Sequence, residues 1–181
     1  MAYHGILIPE AIVAMNIDAY NRSAVCTSTT IDNGDVFSLS GKVGTSGSGV
    51  EVFLVAENTS ASATGLWMAY SGDEIVVTDS RYKGLDPDPR NFYTATGKVF
   101  SAYKPQVGDI ILLTAEALTT PYSASATYAN IVTTSWKLDW AAAQSVSGLS
   151  YKFLGVKYIS LATGGIDTQR VTAYELECVA N

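Results

Sequence analysis

Turn-forming residues interrupt this chain at short intervals, and their spacing limits what it can fold into. Gly, Asn and Asp leave only short segments between them, and these segments are rich in Thr, Val and Tyr, which favour pleated strands. The clearest alternation is in residues 50–55, where Val50, Val52 and Leu54 face one way. The sequence therefore predicts a mainly β protein, folded as a single compact β-sandwich or barrel-like domain.

Two turns in this pattern are specific enough to place. Asn33-Gly34 suits the φ > 0 positions of a tight hairpin, with one strand ending near Ile31 and the next beginning near Val36. Residues 151–179 are expected to form two strands around Thr163-Gly164-Gly165.

One short helix is also expected. Asp139 can cap the segment Trp-Ala-Ala-Ala-Gln at residues 140–144, and Gly148 can end it. The alternative position is the N-terminus, where Pro9 can open a short helix.

The first 25 residues differ from the rest of the chain. Residues 5–15 are apolar with little alternation, and chain termini are usually loose unless they are tied down. We interpret residues 1–25 as an N-terminal arm ahead of a β domain of residues 26–181, and we expect residues 2–16 of the arm to lie on a neighbouring subunit. The alternative is that this segment is the first strand of the protein's own sheet. The side chains expected to contact the neighbour are Ile6, Leu7, Ile8, Ile12 and Val13.

A second contact region is expected in the loop from Arg81 to Arg90. Two Asp-Pro pairs force an extended or turned path there, and the loop gathers three basic residues within an acidic chain. Such a loop suits an acidic patch on a partner. Tyr82 and Tyr93 are the aromatic anchors expected beside it.

Charge limits the partner classes. The net charge is −6 and the pI about 4.6, so phosphate backbones and anionic lipid heads are repelled, and neither nucleic acid nor membrane is expected as a partner. No apolar run is long enough to cross a bilayer, and the start lacks the basic stretch of a signal peptide. Only 15% of residues are charged, against roughly 25% in typical globular proteins, which suggests extra surface buried against other proteins.

Catalytic and metal-binding patterns are weak. His4 is the only histidine and lies near the chain start, whereas a catalytic relay needs its imidazole held rigidly. Cys26 and Cys178 are too few and too far apart for a zinc site of thiolates, and we expect both to be reduced. Asp86 and Asp88 can share a face and bind Ca²⁺, but the neighbouring prolines favour a solvated turn. We therefore assign no catalytic residue, cofactor or metal.

The middle of the chain resembles the decoration, or cement, proteins that sit on the heads of tailed bacteriophages. The resemblance covers roughly residues 31–118 and rests on ordered pieces rather than on one motif. These pieces are Ile31-Asp32-Asn33-Gly34-Asp35-Val36, Glu51-Val52-Phe53, Arg81-Tyr82-Lys83, Asn91-Phe92-Tyr93 with Gly97-Lys98, Val107-Gly108-Asp109-Ile110, and Leu113-Thr114-Ala115-Glu116-Ala117-Leu118.

The resemblance implies a non-enzymatic virion protein, made in the host cytoplasm, that stabilises a capsid by binding the major capsid protein or other shell subunits. Copies of the chain itself are a further expected partner. The family has no catalytic residues to transfer. From a different class, the alternative is a receptor- or carbohydrate-binding β module of a virion fibre or cell-surface assembly, which abundant tyrosine and tryptophan would also suit.

Overall fold

A computed structural model describes residues 3–43, 51–71, 88–162 and 168–181 of the chain. Strands account for 49% of it and helical turns for 9%, which confirms the mainly β prediction. Within the described residues the strands are β1 (Leu7–Ala11), β2 (Asn21–Val25), β3 (Val36–Lys42), β4 (Val52–Glu57), β5 (Trp67–Ala69), β6 (Val99–Tyr103), β7 (Ile110–Thr114), β8 (Tyr128–Ile131), β9 (Leu138–Ala141), β10 (Ser150–Ala162) and β11 (Thr168–Ala180).

The strands form two sheets. One is an antiparallel six-stranded sheet in the order β1-β7-β11-β10-β8-β9, and the other is a closed five-stranded barrel in the order β2-β4-β3-β5-β6. In the barrel only the β2–β4 pair is parallel, and β2 closes the ring by pairing with β6. The two strands predicted near the C-terminus are confirmed as the antiparallel pair β10–β11, which we call the β10–β11 hairpin. The connection predicted at Thr163-Gly164-Gly165 lies outside the described residues.

One hydrophobic core joins the barrel to the six-stranded sheet. Met68 of the barrel is fully buried beside Tyr103, whose hydroxyl donates a hydrogen bond of 3.2 Å to the Met68 sulfur. Tyr151 of β10 packs in the same cluster, together with Ile111 and Leu176 from neighbouring strands. Because both sheets bury side chains in this cluster, they pack together as one unit.

The turn predicted at Asn33-Gly34 is confirmed, but the prediction that it connects two paired strands is wrong. Gly34 has φ +94°, and the Asp35 amide donates to the Asp32 carbonyl across the turn. The preceding strand does not return along β3, because Ile31 forms an isolated bridge with Thr94. The turn therefore carries the chain from that bridge into the barrel.

The helix predicted at Asp139 is wrong. Residues 138–141 form β9, which pairs with β8. Leu138 is fully buried, and the Trp140 ring packs against the rings of Tyr122 and Phe153. Packing of these side chains overrides the helix propensity of the alanines. Among the described residues the helical segments are 3₁₀ turns of three or four residues, at Val13–Asn16, Asp18–Tyr20, Pro89–Asn91 and Ala115–Ala117. None of these has the length and apolar character that a membrane-crossing helix requires.

The N-terminal segment belongs to the chain's own sheets, which is the alternative that the sequence left open. β1 pairs with β7, where Leu7 lies opposite Leu113. β2, which ends at the expected boundary of the arm, is part of the barrel. The arm was expected because residues 5–15 lack alternation. In β1, Leu7 lies in the main core and its neighbour Ile8 packs against a second apolar cluster, so consecutive side chains are apolar.

Candidate functional site

The β10–β11 hairpin extends beyond the strands that flank it. β7 pairs with β11 only from Ala173 to Glu177, and β8 pairs with β10 only from Ser150 to Lys152. The last contact on the β8 side is a hydrogen bond of 2.9 Å from the Phe153 amide to the Thr127 carbonyl. Among the described residues, β10 therefore has a strand on one side only from residue 154 onward. We call residues 154–161 the β10 edge.

Exposed apolar side chains mark this edge. Leu154, Val156 and Tyr158 are 42%, 43% and 56% exposed. Val156 and Tyr158 lie on one face of the hairpin, and the Arg170 guanidinium covers the Tyr158 ring at 3.7 Å. Lys157 is the only charged residue of the edge, and its ammonium already contacts the carboxylates of Glu10 and Glu175.

The edge at β1 is built differently. β1 is short, contains Pro9 and carries an irregular register between Pro9 and Ala11. Proline and bulges are common means of preventing a sheet edge from pairing with another chain. The β10 edge contains no proline over eight residues, and its own register shift lies at its start, between Phe153 and Gly155. From Val156 onward the edge is regular, so it can accept an added strand from a partner.

Aromatic packing holds the base of the hairpin. The rings of Tyr122, Trp140, Phe153 and Tyr174 lie next to one another, with centroid separations from 5.0 Å to 6.3 Å. Such ring pairs add to the stability gained from buried area. The edge therefore projects from a well-packed base.

A second feature is a cleft of about 400 Å³ between the start of the chain, the turn before β3 and the segment before β9. We call it the Asp32 cleft. It is lined by His4, Thr29, Thr30, Asp32, Asp35, Glu57, Thr134, Ser135, Trp136 and Lys137.

Asp32 is the centre of the polar contacts in this cleft. Its Oδ1 lies 2.7 Å from His4 Nδ1, and its Oδ2 lies 3.3 Å from the Lys137 ammonium. Lys137 also donates to the Glu116 carbonyl at 2.7 Å. The His4 ring stacks on Tyr93 with centroids 4.7 Å apart. The sequence placed His4 in a mobile start, whereas these contacts hold it against the turn.

Asp35 differs from Asp32 in its partners. Its Oδ2 accepts a hydrogen bond of 2.9 Å from the Asp32 amide, whereas its buried Oδ1 accepts none from any described residue. Only 4% of Asp35 is exposed, and this burial raises the pKa of the carboxyl group to about 7. Removing a carboxylate from water disfavours its charged form. Asp35 is thus an acceptor held at the cleft with one oxygen unused.

The contacts predicted at the N-terminus are mostly internal. Ile6, Leu7 and Ile12 are buried, with exposures of 3%, 2% and 7%. Ile8 is half-buried beside Ile6 in a small apolar cluster. Val13 is 44% exposed, and its amide donates to an Asp109 carboxylate oxygen at 2.8 Å. Of the five, Val13 alone presents a largely exposed side chain.

The structure describes only the last three residues of the predicted basic loop, residues 88–90. Arg81 and Tyr82 lie outside the described residues, as does Asp86. Arg90 is buried, donates to both carboxylate oxygens of Asp88 and lies 3.9 Å from the centroid of the Tyr3 ring. It therefore belongs to an internal ion pair and is not a docking residue, because it is 4% exposed and its Nε and Nη2 groups already have partners. Tyr93 is 45% exposed and remains accessible.

The remaining side chains considered for chemistry are separated. Cys26 and Cys178 are both buried and unpaired, in different hydrophobic clusters. The described residues contain no group of three or more His, Cys, Asp or Glu side chains arranged to bind a metal.

Sequence analysis missed both the β10 edge and the Asp32 cleft. The position of the β10 edge depends on where β7 and β8 stop pairing with the hairpin. The lining of the cleft comes from segments that are far apart in sequence, from His4 to Lys137. The one available signal was Asp32-Asn33-Gly34-Asp35 itself, which places two carboxylates on one turn. No protein-family model matches the chain, and comparison with curated proteins and with solved structures gave no match.

Proposed function

We propose that this protein is a non-enzymatic structural protein of a phage virion, which decorates and stabilises the capsid by binding shell subunits. The β10 edge is the proposed contact. The observation that carries the proposal is an apolar strand edge that has no partner strand among the described residues and no proline to protect it.

The energetics of such a contact are favourable. Each large apolar side chain contributes roughly 1.5–3 kcal/mol when it is fully buried. Leu154, Val156 and Tyr158 are each about half exposed, so each retains about half of that gain for a partner. Main-chain hydrogen bonds to an added strand contribute a further ~0.5–1.5 kcal/mol each, against the cost of association.

Two sequence properties support the capsid as the surface that is bound. The ordered pieces between residues 31 and 118 resemble phage head decoration proteins, and the low charged fraction suits a chain with much of its surface in interfaces. The virion is then its location, and shell subunits are its partners. Copies of the same chain are a further partner, since one β10 edge can also pair with another.

A charge placed on the edge tests the proposal. Val156→Lys puts an ammonium where a partner strand would pack, and Val146→Lys makes the same change at a position that is fully exposed elsewhere. The assay is cosedimentation with capsid shells that lack this protein. We expect Val156→Lys to weaken binding by about tenfold or more, or ~1.4 kcal/mol, with its urea unfolding midpoint unchanged. Val146→Lys should bind like the wild type. Equal binding by wild type and Val156→Lys would refute the edge, and failure of the wild type to bind any shell would refute the function.

A further inference from the structure

We propose that the Asp32 cleft binds a guanidinium cation, as presented by an arginine side chain of a partner protein. This site is separate from the β10 edge and does not depend on the capsid proposal. It rests on an unused acceptor, on the balance of charges in the cleft and on the shape of its lining.

The unused acceptor is Asp35 Oδ1. Asp35 lines the cleft, is only 4% exposed, and this oxygen has no donor among the described residues. A buried acceptor without a partner destabilises the folded protein. Oδ1 is enclosed by the protein, so a ligand reaches it only when the lining shifts. A ligand that then brings an N–H group to Oδ1 removes this penalty, which favours a hydrogen-bond donor.

Charge favours a cationic donor. The carboxylates in the lining are those of Asp32, Asp35 and Glu57, and the basic groups are His4 and Lys137. Both basic groups contact Asp32. Within the part of the chain that the structure describes, no basic side chain forms an ion pair with Asp35 or Glu57. The cleft therefore has two carboxyl groups available to a cation.

Shape selects among cations. The metal-binding arrangement of three or more ligand side chains is not found in the described residues. Trp136, half-buried in the lining, offers a flat ring, and a planar guanidinium stacks on such rings while its N–H groups reach carboxylates. An ammonium group has no plane to stack, and a volume of about 400 Å³ accommodates the end of an arginine side chain.

The test uses the full chain and a defined probe. N-acetyl-arginine methylamide is titrated into the protein and followed by NMR chemical shifts, with the citrulline analogue as an uncharged probe of the same shape. The titration is run at about pH 8, above the Asp35 pKa of about 7, where Asp35→Asn and Glu57→Gln each remove one negative charge from the cleft. Asp18→Asn and Glu177→Gln are matched controls on acidic residues that do not line it. Glu57→Gln keeps the test decisive if Asp35→Asn does not fold.

We expect saturable binding of the arginine probe, with shifts at Trp136, and at least tenfold weaker binding of the citrulline probe. Each cleft variant should weaken arginine binding by about tenfold, as for loss of a charge-assisted hydrogen bond, and the controls should change it less than about twofold. Absence of saturation, equal binding of citrulline, or equal loss in the control variants would overturn the proposal. A glycan that binds here while the arginine probe does not would also overturn it. Because Val156→Lys should leave arginine binding intact, failure at this cleft is distinguishable from failure at the β10 edge.

Discussion

The carboxyl group of Asp35 should make the stability of this protein depend on pH. Its pKa lies near 7 in the folded protein because burial disfavours the carboxylate, against 3.8 when the group is free of the fold. The hydrogen bond from the Asp32 amide and the charge of Lys137 act in the opposite direction but are outweighed. Asp35→Asn keeps an acceptor for the Asp32 amide and cannot ionise. Comparing it with the wild type isolates this one titration.

The size of this pH dependence follows from the linkage between proton binding and folding. Between the unfolded and folded pKa values, the folded state binds the Asp35 proton more tightly, so the stability it provides is present at low pH and is lost as pH rises through about 7. A pKa difference of about three units at ~1.4 kcal/mol each gives about 4 kcal/mol in total. Between about pH 5 and about pH 8, roughly 2–3 kcal/mol of this is lost. The other side chains that line the cleft are the same in both proteins, so their contributions largely cancel in the comparison.

Urea unfolding of both proteins at these two pH values measures the effect. We expect the free energy of unfolding of the wild type to fall by about 2–3 kcal/mol more than that of Asp35→Asn on going from about pH 5 to about pH 8. An equal change in both proteins would show that Asp35 ionises without cost, and the description of Asp35 as a buried acceptor would then be wrong.

Three further predictions concern the fold. Gly34→Val should lower the free energy of unfolding by at least about 2 kcal/mol, because φ is +94° and a Cβ would lie 2.9 Å from a Leu113 methyl carbon. Gly41→Val, where an added Cβ meets nothing within 4 Å, is the control, and equal melting temperatures would refute the turn. Deleting residues 2–16 should prevent folding, since it removes β1 with its buried Leu7, and a native circular dichroism spectrum of the truncated chain would contradict this. The Cys178 thiol, whose pKa burial raises to about 12, should resist alkylation until urea unfolds the protein, and rapid labelling of the native chain would contradict its burial.

Local chemistry made several features predictable from the sequence. Gly34 occupies a conformation that glycine favours, and the glycines at 164 and 165 separate two segments of strand-forming residues. These signals act over a few residues and do not depend on the rest of the fold. For that reason the turn and the C-terminal hairpin were placed correctly.

Features that depend on distant contacts were not predictable. The alanines at 141–143 favour a helix in isolation, but the Trp140 ring finds its partners in Tyr122, Phe153 and Tyr174, so the segment begins with a strand. His4 meets Asp32 across 28 residues of sequence, and no local pattern indicates that contact. Arg90 appeared to be a surface cation because the Asp-Pro pairs suggested an exposed loop, whereas contacts with Gln169 and with the Tyr3 ring, both distant in sequence, help to bury it.

The most direct test of the capsid proposal is electron cryomicroscopy of the virus particles produced by the cells in which this chain is made. The account predicts density for the chain on the shell, with the β10 edge beside a strand of a neighbouring subunit. Density for the chain only in a fibre, its absence from the capsid, or a bound chain whose β10 edge faces solvent would contradict it.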